Sequence, residues 1–273
     1  MASIGGVTSS DPTGATAAAL ARLYDLDLAE DPGDVELYRA LARRTGDPVI
    51  ELAVGSARVA AALAADGHRV VGVDNDPAML DRARDRAPAR GARGGDLTLI
   101  EADLVEAPSV EAVRAAGPYR LAFIALNSIL LLASAERQRA ALAAMAGLLT
   151  PGGIAVVDAW QPSPQDLVAF DGRLSLEWLR VDPETGREVT KTVAAWFDPA
   201  TRLVTLTTIF EEAEQGGAPM RWTRSDALRL LTADELGAYA AAAGLEVEQL
   251  AGDHDLGPLE PGSDRVVLVA RKS

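Results

Sequence analysis

The sequence predicts an α/β fold: a doubly wound, mostly parallel sheet with a reversed last strand, interrupted by an inserted antiparallel β subdomain. Three observations carry this. Apolar runs of strand length alternate with helical patterns between residues 48 and 160, as βαβ units require. From about 171 to 230 only period-two patterns remain, split by turn sequences. The last two strand patterns are joined by a loop too short and too polar for a crossover helix, so they pair antiparallel.

Each element follows in order. Residues 1–18 are rich in Ser, Gly, Thr and Ala and read as a flexible N-terminus. ALARLYDLDLAE and DVELYRALARRTG read as two short helical segments. Strand PVIELA, helix RVAAALAADG, strand RVVGVD and helix PAMLDRARDRA come next. A third strand, LTLIEAD, ends at Asp103, and a helix near PSVEAVRAAG leads to the fourth strand, YRLAFIAL. Helix SAERQRAALAAMAGLL stops at the breaker TPGG, before the fifth strand GGIAVVDAW. These strands are nearly continuous apolar runs, as strands covered on both faces are. LSLEWLRV, EVTKTVAAWF, RLVTLTTIF and MRWTRSDALRL then form a four-stranded meander, divided by DPETG, DPAT and EQGG. The helix TADELGAYAAAAG has Thr232 and Glu235 as a capping box and Gly244 as its stop. Strands LEVEQLAG and RVVLVARK close the chain. The organisation is a main domain of residues 19–170 and 231–273, with the insert over 171–230.

The 273 residues carry a net charge of −14 and no cysteine. The charge argues against a nucleic-acid partner, which needs a basic face for phosphates. The absence of cysteine excludes disulfides and thiolate metal sites. The first twenty residues lack a basic segment followed by an apolar core, and LAFIALNSILLLA is too short to span a bilayer. The expectation is a cytoplasmic protein with no membrane or nucleic-acid partner.

The stretch VIELAVGSARVAAALAADGHRVVGVDNDPAML, residues 49–80, carries the chemistry. A dinucleotide loop reads G-x-G-x-x-G, for a tight turn, close approach of the pyrophosphate and close helix packing. Here those positions hold Ala53, Gly55 and Arg58, and Glu51 would repel phosphate. A cationic ligand without phosphate fits better. S-adenosylmethionine (SAM) offers an ammonium and sulfonium to Glu51, a ribose diol to Asp74 and an adenine amino group to Asp103. These three acids stand at the ends of three strands, on one edge of one sheet.

These residues resemble the class I SAM-dependent methyltransferases, specifically the bacterial small-molecule type with a β-rich insert before the last helix. ELAVGSAR is similar to the family's E-L-G-C-G-T-G-R, and VVGVDNDPAML to V-x-G-x-D-x-S-x-x-M-L. IEADL resembles the third acidic motif, and FIALNSILLL the substrate-facing segment after strand four. The resemblance spans roughly residues 20–273 and implies a Rossmann-like, seven-stranded methyltransferase sheet. It implies SAM as cofactor, S-adenosylhomocysteine as product, and a small-molecule acceptor methylated at oxygen, nitrogen or carbon. A natural-product tailoring step is the biosynthetic role expected. The implied cofactor residues are Tyr24, Glu51, Ala53, Gly55, Asp74, Asn75, Met79, Asp103, Leu104 and Leu126. Tyr24 resembles the tyrosine of a lid, and Met79 packs against the adenine. Ala53 and Ala57 replace the first and third glycines of the family loop, and Leu131 stands where many relatives have His. Open alternatives are a SAM-dependent reaction other than methylation, a SAM or S-adenosylhomocysteine binding module, and a nicotinamide oxidoreductase.

Methyl transfer from a sulfonium needs alignment more than acid–base help. His254, between Asp253 and Asp255, is the candidate base. Asn127 and Trp160 follow the fourth and fifth strands on the ligand edge and are candidates for the acceptor pocket. Arg221 and Arg224 in the insert are candidates for an anionic acceptor. Trp178, Trp196 and Trp222 read as core of the insert or as a homodimer contact. No metal site is expected.

Overall fold

The computed structural model describes residues 14–30, 32–88, 95–213 and 219–273. Seven strands form the central sheet. They are β1 (Val49–Leu52), β2 (Arg69–Asp74), β3 (Asp96–Glu101), β4 (Tyr119–Ile124), β5 (Leu149–Trp160), β10 (Leu245–Ala251) and β11 (Arg265–Lys272). Their order is β10-β11-β5-β4-β1-β2-β3. The pairs from β5 to β3 are parallel, and β11 runs antiparallel to both neighbours. The Rossmann-like methyltransferase sheet with its reversed last strand is therefore present. A second sheet, β6 (Asp171–Val181), β7 (Glu188–Asp198), β8 (Leu203–Ala213) and β9 (Met220–Arg229), is an antiparallel meander. The turn EQGG lies outside the described residues.

Helices cover both faces of the main sheet. On one face α2 (Val35–Thr45), α3 (Arg58–Ala65) and α4 (Pro77–Arg86) bury Tyr38, Leu63 and Leu80 against Val49, Leu121 and Phe123. On the other, α5 (Glu111–Ala116), α6 (Ala135–Leu148) and α8 (Ala233–Ala242) bury Val113, Met145 and Leu236 against Ile50, Ile124 and Val157. The capping box of α8 forms as expected, with Thr232 accepting from the Glu235 amide. A short helix, α7 (Pro164–Ala169), capped by Ser163 and Asp166, precedes the insert, where the sequence reading has none.

Two regions differ from the reading of the sequence. Helix α1 (Gly14–Asp27) begins within the stretch expected to be flexible, of which residues 1–13 lie outside the described residues. It packs Leu23 and Leu26 on Val189 and Phe210 of the insert. The breaker TPGG lies inside β5. Tyr119 faces Leu149 while Leu121 faces Ile154, so residues 150–153 bulge from the ladder, with Gly152 at φ 77°.

Candidate cofactor and acceptor site

The loop after β1 builds the site. Ala53, Gly55 and Ala57 all have positive φ, at 60°, 52° and 60°. The left-handed turns demanded of the family's glycines are thus present with alanine at two of them. That region costs an L-residue roughly 1–2 kcal/mol. The turn aims the Gly55 amide at Asp74 Oδ2 (2.7 Å), while the Asp76 amide donates to Asp74 Oδ1 (2.9 Å). A carboxylate has about four acceptor positions, so two remain for a ligand's hydroxyls. Desolvation raises the Asp74 pKa, opposed by these amides. Asp76 also caps α4, accepting from Ala78 and Met79, with Pro77 at the first turn.

Glu51 is buried beneath the loop and accepts from the Ala60 amide (2.8 Å). Burial pushes its pKa up to about 8, against the opposing pull of Arg58. At neutral pH, with no ligand ammonium beside it, this carboxyl is mostly protonated. Arg58, at the third dinucleotide glycine position, forms a bidentate pair with buried Asp34 (2.6 and 2.6 Å). The start of α3 is thus occupied by two acids and their arginine, which does not suit a pyrophosphate.

A cavity of about 570 Å³ lies along this edge, walled by Ala53, Gly55, Asp74, Asn75, Met79 and Leu104 from the main sheet. Leu20, Ala21 and Tyr24 of α1 cover it, together with Arg224 and Asp226 of β9. Smaller recesses run from Ala53 toward Glu51 and Leu126, and toward Asp103. Asp103 lies two residues beyond β3; its carboxylate accepts from the Val105 amide (2.9 Å) and pairs with Arg137 (2.6 Å).

A second cavity, about 340 Å³, lies under the insert. Both volumes fall in the usual range for small-molecule sites. Leu126, Asn127 and Trp160 come to it from the main sheet, and Leu206, Thr208, Phe210 and Leu228 from the insert. The Asn127 side-chain oxygen accepts from the Trp160 amide (2.6 Å), tying the ends of β4 and β5 together. The two cavities share Leu20, Tyr24, Leu131, Arg224 and Asp226. Arg224 Nε donates to Asp226 at this junction (2.9 Å). Burial pushes the Tyr24 phenol up to about 12, so it stays protonated at neutral pH.

Helix α1 is tied to both halves. Asp25 accepts from Ser56 Oγ (2.5 Å) and Arg82 (2.5 Å) of the main domain. Asp27 accepts from Trp178 (2.8 Å) and Lys191 (2.6 Å) of the insert.

Two candidates stand apart from the cavities. Arg221 is one odd step from Trp222 and Arg224 in β9, so strand parity turns it to the outer face, paired with Glu211. His254 lines neither cavity. Its partner is not a neighbouring aspartate but buried Asp158 of β5 (2.9 Å), which also binds Arg265 (2.7 Å). Unforeseen contributors are Leu20, Lys191, Thr208, Phe210 and Asp226. Leu20 comes from α1; the other four share one face of the insert by strand alternation, but the string does not say which parity faces in, since Trp196 stands on the outer face.

A family model described as a methyltransferase domain matches residues 49–153. A ribosomal RNA small subunit methyltransferase A from Anaeromyxobacter dehalogenans is 44% identical over 68 residues, 25% of this chain. The chain spans about a fifth (22%) of that curated relative. Among solved structures, the CcbJ methyltransferase from Streptomyces caelestis is 26% identical, with a TM-score of 0.73 over 90% of this chain and 98% of that one. SAM-bound CalS10 from Micromonospora echinaspora, an amino pentose methyltransferase of calicheamicin biosynthesis, is 21% identical, with a TM-score of 0.67 over 92% and 97%. Among the described residues no helix is long and apolar enough to cross a membrane, and no group of three His, Cys, Asp or Glu is set to hold a metal.

Proposed function

We propose that the chain is a class I SAM-dependent methyltransferase, on the methyltransferase-domain match over residues 49–153 and the likeness to the CcbJ methyltransferase, and that it methylates a small molecule held in the cavity under the insert, as a cytoplasmic tailoring enzyme of natural-product biosynthesis. The observation that carries this reading is the junction. A carboxylate-edged slot and an apolar chamber meet along Tyr24, Leu131, Arg224 and Asp226. Neighbours such as the amino pentose methyltransferase support a biosynthetic acceptor.

The donor set fits SAM. Asp74 has spare acceptor positions for a ribose diol, Met79 and Leu104 give an apolar wall for a base, and Glu51 gives a carboxyl for an ammonium. SAM, when bound, supplies an activated methyl group. Asn75, Gly55 and Ala53 shape the slot, Leu126 borders its inner recess, and Asp103 with Arg137 bounds the adenine end. Trp160, Asn127 and Leu206 hold the acceptor body and keep water from the junction. Asp226, oriented by Arg224, accepts a hydrogen bond from the acceptor's nucleophilic N–H or O–H and takes its proton. His254 holds β5 to the loop before β11 through Asp158, and is assigned no proton transfer.

The outer face of the insert supports a homodimer. Leu174, Leu176, Leu179 and Val181 of β6 and Trp196 of β7 are all more than half exposed. Thr190, Thr192 and Ala194 share their parity, so the middle of this face is uncharged, with Asp171 and Glu188 at its ends. Leu176→Glu is expected to halve the mass measured by light scattering.

The activity is tested by incubating the protein with SAM and panels of amines, phenols and alcohols, followed by mass spectrometry. A methylated acceptor together with S-adenosylhomocysteine is expected. SAM consumed with no methylated acceptor contradicts methyl transfer in favour of another SAM-dependent reaction.

A further inference from the structure

We propose that a pocket at the opposite edge of the main sheet is an oxyanion site, built for a phosphate-class dianion. The cofactor edge carries the carboxyl ends of β1 to β4. The opposite edge holds a cavity of about 330 Å³ where the end of α2, the starts of β4 and β5 and the end of β11 come together. Three arginines line it: Arg44, Arg120 and Arg271. They come from three elements, with Thr45 and Thr150 beside them.

Charge balance is the first argument. Glu248 is the carboxylate that pairs here, taking Arg271 Nε (2.6 Å) and a longer contact from Arg44 (3.3 Å). Arg120 has no carboxylate partner among the described residues; its guanidinium reaches only the Thr45 carbonyl, at 3.5 Å. Two positive charges are therefore in excess at this pocket, on a chain with 40 acidic and 26 basic residues. Most other arginines of the described residues have found an acid.

Backbone shape is the second. Residues 150–153 bulge out of the β4–β5 ladder and form one wall of the cavity. Helix-end electrostatics account for Arg44, in the last turn of α2. They do not account for Arg120, near the start of a strand, or for the bulge. A tetrahedral dianion seated among three guanidiniums would gain charge-assisted hydrogen bonds from each fork. It would also add a link between α2, β4 and β11, beside the bonds from Arg271 to the Gly152 carbonyl (3.3 Å) and from Lys272 to the Leu149 carbonyl (2.7 Å) that already tie β11 to β5. The inference does not depend on the methyl-transfer reading.

The test is calorimetric titration of the full chain with inorganic phosphate, alongside thermal unfolding in phosphate and in chloride of equal ionic strength. Saturable binding and a rise in Tm with phosphate over chloride are expected. Arg120→Ala is expected to weaken phosphate binding about tenfold or more, and Arg44→Ala by less. Circular dichroism checks that both variants fold; if Arg120→Ala does not, Arg44→Ala carries the comparison. Glycerol 3-phosphate in a separate arm distinguishes a free ion from the phosphate of a larger ester, and binding of either supports the site. Equal responses to phosphate and chloride, or unchanged phosphate binding in the folded arginine variants, overturn it.

Discussion

The cofactor slot and the acceptor chamber share a wall but are encoded differently. The slot is made by turns at the ends of consecutive strands, where Ala53, Gly55 and Asp74 fall within 22 residues of chain. The chamber is made by alternate side chains of β7, β8 and β9, brought over the main sheet from far along the chain. A local turn leaves a motif. A face of a meander leaves only a parity, and any bulge upstream can invert it. The slot therefore tolerates little change in its backbone, while the chamber can be re-lined residue by residue to suit a new acceptor.

The largest expected effect separates the two halves. Asp226→Asn keeps the shape and removes the proton acceptor. Transfer to the acceptor found by screening is expected to fall about 100-fold or more, with S-adenosylhomocysteine affinity nearly unchanged. An equal loss of both would place Asp226 in the slot alone.

Next is Glu51. Its pKa of about 8 in the free protein means that a bound ammonium draws it into the ionised form and releases a proton. Affinity for S-adenosylhomocysteine is expected to rise up to about tenfold per pH unit between pH 6 and 8. Glu51→Gln should flatten that slope; a parallel slope in the variant would remove Glu51 from ligand contact. The sign for stability is opposite. The folded value lies above the unfolded one, so the free protein loses stability as pH rises from about 4.5 toward 8. Glu51→Gln should reduce this loss in chemical denaturation.

Smaller still is the strain of the loop. Ala53→Gly and Ala57→Gly each relieve a left-handed alanine and are expected to stabilise by about 0.5–1 kcal/mol in denaturant melts. Destabilisation would mean that the methyl groups' packing outweighs the strain. The smallest effect is Arg221→Ala, on the outer face, which should leave cofactor affinity and transfer unchanged when both are measured.

The same contrast decides what could be read in advance. The alternation of strands and helices and the meander were legible because each is a periodicity, and the antiparallel closing pair because its joining loop is too short for a crossover helix. Asp74 was legible because it ends a strand beside a turn. Asp226 was not, because β9 reads MRWTRSDALR, and nothing in that string says which parity faces in; Arg221 and Arg224 looked equivalent until the pairing of Arg224 with Thr208 fixed the inner face. His254 looked like a base because its sequence neighbours are acids, yet its partner Asp158 lies 96 residues away. The TPGG breaker hid a bulge inside a strand, since proline and glycine mark irregularity without saying which kind.

The most direct test of the account is a calorimetric titration of S-adenosylhomocysteine and NAD into the wild type and Asp74→Ala. The account predicts micromolar binding of S-adenosylhomocysteine to the wild type, its loss in the variant, and no binding of NAD to either. NAD binding, or S-adenosylhomocysteine affinity that survives Asp74→Ala unchanged, would contradict it.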